Sequence, residues 1–126
     1  MLVAALLWPS PAAAATTLDE LQTALCANPS VSLSGSIDAP GGTLTIGCAA
    51  ELDLHGQVLN VRDVVITGGH QLTIKDDSSD GDGSLTANAS SSHHTAGIRT
   101  NDATLVIEGG TVLASGGWRA AGIGGQ

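Results

Sequence analysis

Units in which two apolar residues flank a single intervening residue recur along this chain: Val31/Leu33, Leu44/Ile46, Leu52/Leu54, Val64/Ile66, Leu72/Ile74, Leu85/Ala87 and Leu105/Ile107. A period of two is the signature of a half-buried strand. Gly, Asp, Asn, Ser and Thr, the residues of tight turns, separate the units. Their spacing constrains the fold more than any other feature. Leu44 to Val64 is 20 residues, Val64 to Leu85 is 21 and Leu85 to Leu105 is 20, while a second series, Val31, Leu52 and Leu72, steps by 21 and 20. Strands stack on their equivalents only when each turn of the chain has constant length. The spacing therefore predicts an all-β parallel β-helix solenoid of 20–21 residues per coil. Two copies of one pattern, Val64-Val65-Ile66-Thr67-Gly68-Gly69 and Leu105-Val106-Ile107-Glu108-Gly109-Gly110, lie 41 residues apart, two such coils. A β-sandwich is the competing architecture, but it gives no reason for constant spacing.

Composition agrees with a narrow interior. The chain has 126 residues, 42% of them hydrophobic, with two Trp and no Phe or Tyr, so Leu, Ile, Val and Ala must fill the core. That apolar content excludes a disordered acidic tail. Twelve Asp and Glu against four Lys and Arg give a net charge of -8, which excludes a phosphate-backbone partner.

Residues 1–15 read as a secretory signal peptide: the apolar run Leu2 to Trp8, then Pro9-Ser10-Pro11, then Ala12 to Ala15, with the cut after Ala14 or Ala15. No Lys or Arg precedes the run, and the run is too short to span a bilayer. Export makes the protein secreted or cell-surface. It also favours a disulfide between Cys26 and Cys48, which are 22 residues apart, over two buried free thiols.

Residues 16–30 predict an N-terminal capping helix. Thr17 and Glu20 have capping-box spacing, Leu18, Leu21, Ala24 and Leu25 share one face, and Asn28-Pro29 ends it. An amphipathic helix over the first coil would cover an open strand edge. Residues 31–126 then form the coils, which are expected to continue past Gln126, because the sequence is still repeat-like there.

The stretch Thr104 to Gly117, followed by Ala120-Ala121-Gly122-Ile123-Gly124-Gly125, resembles the glycine-rich repeats of secreted bacterial surface proteins. Leu52-Asp53-Leu54-His55-Gly56-Gln57-Val58-Leu59 resembles an early coil of the same group, with His55 where Asn is common. The resemblance spans Thr17 to Gln126 and implies a right-handed parallel β-helix of the pectate-lyase-like (pectin lyase-like) superfamily. Its members include pectin-degrading enzymes, glycan-binding modules and adhesin-like repeats, so the fold does not decide among them.

The acidic run Asp76-Asp77-Ser78-Ser79-Asp80-Gly81-Asp82-Gly83 offers hard oxygen ligands. Asp76, Asp77, Asp80 and Asp82 are the candidate ligands for calcium, the one cofactor the sequence suggests. Read as an EF-hand loop it lacks the last, bidentate ligand, and a solvated turn accounts for the same residues. His70 and His93 could meet on neighbouring turns, although exposed turn histidines are the commoner outcome. Trp118, beside Arg119, could stack on a sugar face, with Arg99 nearby in coil phase, so these three are the candidate ligand-binding residues. It could equally cover the interior.

No catalytic residue is assigned. A lyase needs carboxylate-held calcium and a basic residue, for which Arg62, Lys75, Arg99 and Arg119 are the candidates, but no position matches a catalytic motif. The resulting expectation is a secreted or cell-surface module, glycan-binding or adhesin-like and structural, non-catalytic within this segment. Its partner would be a polysaccharide or cell-wall glycan. The alternative is a calcium-dependent polysaccharide lyase or hydrolase. The oligomeric state is left open.

Overall fold

The computed structural model describes residues 13–28, 30–78, 81–90 and 94–124. Strand β1 (Ala13–Ala15) leads into helix α1 (Leu18–Ala27), followed by β2 (Val31–Leu33), β3 (Ile37–Ile46), β4 (Ala50–Asp53), β5 (Val58–Ile66) and β6 (Gln71–Lys75). Then come β7 (Ser84–Asn88), β8 (Ile98–Arg99), β9 (Thr104–Ile107), β10 (Thr111–Ser115) and β11 (Ile123–Gly124). One sheet runs β1-β2-β4-β6-β9. The other is built on the long strand β5, which pairs with β3 along one side and with β7 and β8, end to end, along the other. Strand β10 lies outside β7, and β11 outside β8. All these pairs are parallel.

The expected all-β solenoid of constant 20–21-residue coils is not what forms. The protein is a small α/β protein, 49% strand and 10% helix among the described residues, whose two sheets are mostly parallel and one of them nearly closed like a barrel. Register overturns the constant coil. Leu44 does sit opposite Val64, and Val31 opposite Leu52. But Val64 pairs with Ile98 rather than Leu85, Leu52 with Ile74 rather than Leu72, and Leu105 with Leu72 rather than Leu85. The two copies of the Val64 and Leu105 pattern, instead of stacking, lie in different sheets. Equal spacing in sequence misleads here because the loops differ in length, so the connections set the register and not the interval between apolar pairs.

Helix α1 begins where its sequence expects. Thr17 Oγ1 accepts from Glu20 N–H at 3.1 Å. Glu20 reaches back one residue further than a capping box requires, its Oε1 accepting from both the N–H and the hydroxyl of Thr16 at 2.8 Å. These bonds hold the Glu20 carboxyl below its ordinary range. Leu21 and Leu25 are fully buried, with Leu18 and Ala24 packed beside them. The helix also closes an edge. Gln22 Nε2 donates to Thr45 O at 2.6 Å and its Oε1 accepts from Thr45 N–H at 2.8 Å, so one side chain satisfies both main-chain groups of a β3 residue. Cys26 of α1 and Cys48, just past β3, are bonded as a disulfide.

Among the described residues the core is Leu, Ile, Val and Ala, with no aromatic ring. Between Ala39 and Thr43 the register of β3 against β5 shifts. The cause is Pro40-Gly41-Gly42, two residues more on β3 than on its partner, a bulge that bends the strand. On β5 this places Asp63 among inward positions, with Val61 and Val64.

Candidate functional site

Among the described residues two charged groups are buried, and each gathers a cluster. Asp53 ends β4 and is 2% exposed. Its Oδ1 accepts from the N–H groups of His55 at 3.0 Å and Asp77 at 3.1 Å, and its Oδ2 from Ser32 Oγ at 3.4 Å. Above it the exposed His55 Nδ1 lies 2.6 Å from Asp77 Oδ1. That contact, and the negative charge of Asp77, raise the imidazole pKa above its ordinary value; the same contact lowers the Asp77 carboxyl. His55 has φ +50°, a left-handed conformation in which Asn, Asp and His are enriched among residues other than glycine.

Asp76 ties this knot to the next loop. Its Oδ1 accepts from Ser78 Oγ at 2.7 Å, Ser78 N–H at 3.1 Å and Gly56 N–H at 3.0 Å, and its Oδ2 accepts from Gly83 N–H at 2.7 Å. The Ser78 hydroxyl and then these main-chain donors hold the carboxyl down at about 2. Gly83 must be glycine: a Cβ there would lie 2.5 Å from Leu54 Cβ and 2.9 Å from Asp76 Oδ2.

The acidic run is therefore only in part a set of ligands. Asp76 uses both oxygens to close the turn, Asp80 lies outside the described residues and Asp82 is exposed. The donors that do converge are Asp53, His55 and Asp77, with ligand atoms within 4.8 Å of one another. Two carboxylates and an imidazole form a donor set for a transition metal or zinc rather than the all-oxygen shell of calcium. Asp53 and His55 were missed in sequence because Leu52-Asp53-Leu54 reads as an outward polar residue between two inward ones, whereas all three are buried.

The stability role of Asp76 is testable. A carboxyl depressed in the fold contributes stability above its unfolded pKa near 4, and that contribution is lost as pH falls towards the folded value of about 2. Asp76→Asn should lower stability at neutral pH by roughly 1–2 kcal/mol, the worth of charge-assisted bonds partly open to water. In urea unfolding the gap to the parent should narrow between pH 4 and 2. A constant gap across that range would contradict the assignment.

The second cluster centres on Asp63, which is fully buried in β5. Oδ1 accepts from Thr43 Oγ1 at 2.6 Å and Arg62 Nε at 3.3 Å, and Oδ2 accepts from Arg99 Nη2 at 2.8 Å. Burial alone would push this carboxyl up, but Thr43, Arg99 and the charge of Arg62 outweigh it and hold the pKa below the ordinary value. Two of the four cationic side chains thus converge on one inward carboxylate. Lys75 is engaged by Glu51 at 3.4 Å.

Of the candidate ligand-binding residues, Trp118 and Arg119 stand together and Arg99 belongs to the Asp63 cluster. The Arg119 guanidinium lies 4.7 Å from the Trp118 ring centre, and the His94 ring meets Trp118 edge-on at 5.6 Å. Trp118 is 58% exposed, so it does not serve as a plug of the interior. His93 lies outside the described residues.

Among the described residues, one open depression of about 500 Å³ lies along α1 beside Asp19, Glu20 and Thr23, and another of about 490 Å³ lies beside Glu51, Gln71 and Thr73. Neither contains either cluster or Trp118. Among the described residues, the carboxyls with a displaced pKa (Glu20, Asp63, Asp76, Asp77) are displaced downward.

Compared with protein families, curated proteins and solved structures, the chain matches none. The parallel sheets by themselves do not identify the pectate-lyase-like superfamily. No helix among the described residues is long and apolar enough to cross a membrane.

Proposed function

We propose that this chain is an exported, non-catalytic binding module that recognises a glycan through the exposed Trp118–Arg119 pair. The observation that carries the reading is the pair itself: a 58% exposed indole backed by a guanidinium at 4.7 Å. A flat ring of this kind offers a stacking surface to a sugar face. Outward Ser, Thr, Asp and Asn on parallel strands supply further hydrogen-bonding groups. One example is Asn60, which donates to Asp38 on the neighbouring strand at 2.8 Å. The disulfide supports an oxidising compartment. The lyase or hydrolase alternative has less support, since Arg99 is committed to buried Asp63.

Purified protein should bind members of a glycan array, and Trp118→Ala should weaken that binding by about tenfold or more. Running the array with and without calcium shows whether the acidic run contributes. Silence against all acidic and neutral polysaccharides would sink the proposal, and unsaturated ends released from pectate would favour the lyase. Export itself is read by N-terminal sequencing. Cleavage after Ala15 would remove β1, whose Ala15 O accepts from Ser34 N–H at 2.9 Å, and leave β2 as the sheet edge.

A further inference from the structure

We propose that Asp53, His55 and Asp77 bind a divalent transition metal of the zinc class, independently of the glycan reading. One carboxylate oxygen from each Asp and an imidazole nitrogen lie within 4.8 Å of one another. His55 Nδ1 is 2.6 Å from Asp77 Oδ1 and 4.0 Å from Asp53 Oδ2. Ligand atoms bonded at about 2.0–2.1 Å to a tetrahedral ion sit about 3.3 Å apart, a value between these two separations. The His55 and Asp77 side chains are each 55% exposed on turns, so they reach that geometry by small movements while Asp53 stays fixed.

The buried charge of Asp53 is what calls for a cation. Buried charges are paired or coordinate metals. Asp63, the other buried carboxylate among the described residues, is met by the guanidinium groups of Arg62 and Arg99. Asp53 has no such partner, because the remaining two cationic side chains are engaged elsewhere. Lys75, opposite Asp53 in the β4–β6 ladder, holds Glu51 at 3.4 Å, and Arg119 lies over Trp118. Asp53 Oδ1 accepts from the main-chain N–H groups of His55 and Asp77, so it positions the two other ligands. Its Oδ2, turned to the imidazole, has only Ser32 Oγ at 3.4 Å, beyond the usual hydroxyl–oxygen distance of about 2.5–3.0 Å.

The donor set selects the metal. An imidazole with two carboxylates suits zinc and its first-row neighbours, whereas calcium and magnesium take oxygen shells. The absence of sulfur from the set disfavours soft ions such as Cu(I). Two carboxylates and a neutral imidazole carry a charge of about -2, which a divalent ion cancels. The exposed side of His55 and Asp77 leaves a fourth coordination position to solvent, as in open zinc sites. The metal would join the turn after β4 to the turn after β6, whose strands are neighbours in one sheet. Its rival for the same space is the proton on Nδ1, which bridges to Asp77 alone.

The test is calorimetric titration of the untagged, metal-stripped, disulfide-intact chain with zinc, repeated with cobalt(II), whose visible absorption reports nitrogen and oxygen ligation. The expected result is saturable binding of one zinc per chain that excess calcium or magnesium does not displace. His55→Asn, which keeps a residue suited to φ +50°, and Asp77→Asn should each weaken binding by about tenfold or more. Both should leave the circular dichroism spectrum unchanged. Zinc should slow amide exchange at His55 and Asp77 in the parent protein, an outcome that does not depend on any variant folding. His93→Ala with His94→Ala, which removes the adjacent histidine pair, should leave binding unchanged. No saturable binding would mean that the proton alone fills the site and overturns the proposal. So does binding that survives His55→Asn, is lost with the His93–His94 pair, or yields equally to calcium.

Discussion

Asp63→Ala is expected to destabilise the protein by about 3–5 kcal/mol, the usual cost of removing one partner from a buried charge cluster. The substitution leaves Arg99 Nη2, Arg62 Nε and the Thr43 hydroxyl without their shared acceptor, at the point where β3 and β5 change register. Arg99 already has a buried Nε with no hydrogen-bond partner, so the guanidinium has little local compensation to fall back on. Its side chain is 31% exposed and Arg62's is 40% exposed. Some rehydration is therefore available, which favours the lower end of the range. Denaturant unfolding of Asp63→Ala, Arg99→Ala and the double variant gives the coupling directly: the double should cost clearly less than the two singles together. A loss under about 1 kcal/mol for Asp63→Ala would show that the cluster behaves as a surface pair.

Replacing both cysteines, Cys26→Ala with Cys48→Ala, should cost about 3 kcal/mol, the value for a bridge closing a loop of this length. The separation is 22 residues and the bridge joins α1 to the end of β3. The cost falls on the helix, because without the bridge α1 rests on Leu21 and Leu25 and on the Gln22–Thr45 bonds. The variant, or the parent under strong reductant, should therefore show hydrogen exchange rising first in α1 and along β3. Uniform loss of protection across both sheets would instead place the effect in the unfolded chain alone. Among the described residues no hydrogen bond or ion pair joins the bridge to the Asp63 cluster.

Much of the local structure was legible in the sequence, because it follows from nearest-neighbour chemistry. Thr17 and Glu20 mark the helix start, Asn28 caps its end, and apolar pairs such as Val31/Leu33 and Leu72/Ile74 are strands with both apolar residues buried. The strands β8 and β11, of two residues each, carry too few side chains to show a period. The candidate site was less legible. Asp76 and Asp77 stood out as an acidic run, but Asp53 and His55 join them across a turn, and Asp63 meets Arg99 over 36 residues. Such meetings depend on which strand lies beside which.

The amino-acid sequence by itself determined the composition of the core: with no Phe or Tyr and only two Trp, aliphatic side chains had to fill it, and the capped helix was fixed by local chemistry. Register was decided only in three dimensions. The interval between apolar pairs suggests constant coils, yet the bulge at Pro40-Gly41-Gly42 and loops of unequal length bring Val64 to Ile98 and Leu72 to Leu105. A strand slides in steps of two without exposing its apolar face, so an alternating pattern fixes which face is inward and leaves the partner undetermined. Buried groups such as Asp63, each able to bond in only one register, select among those alternatives.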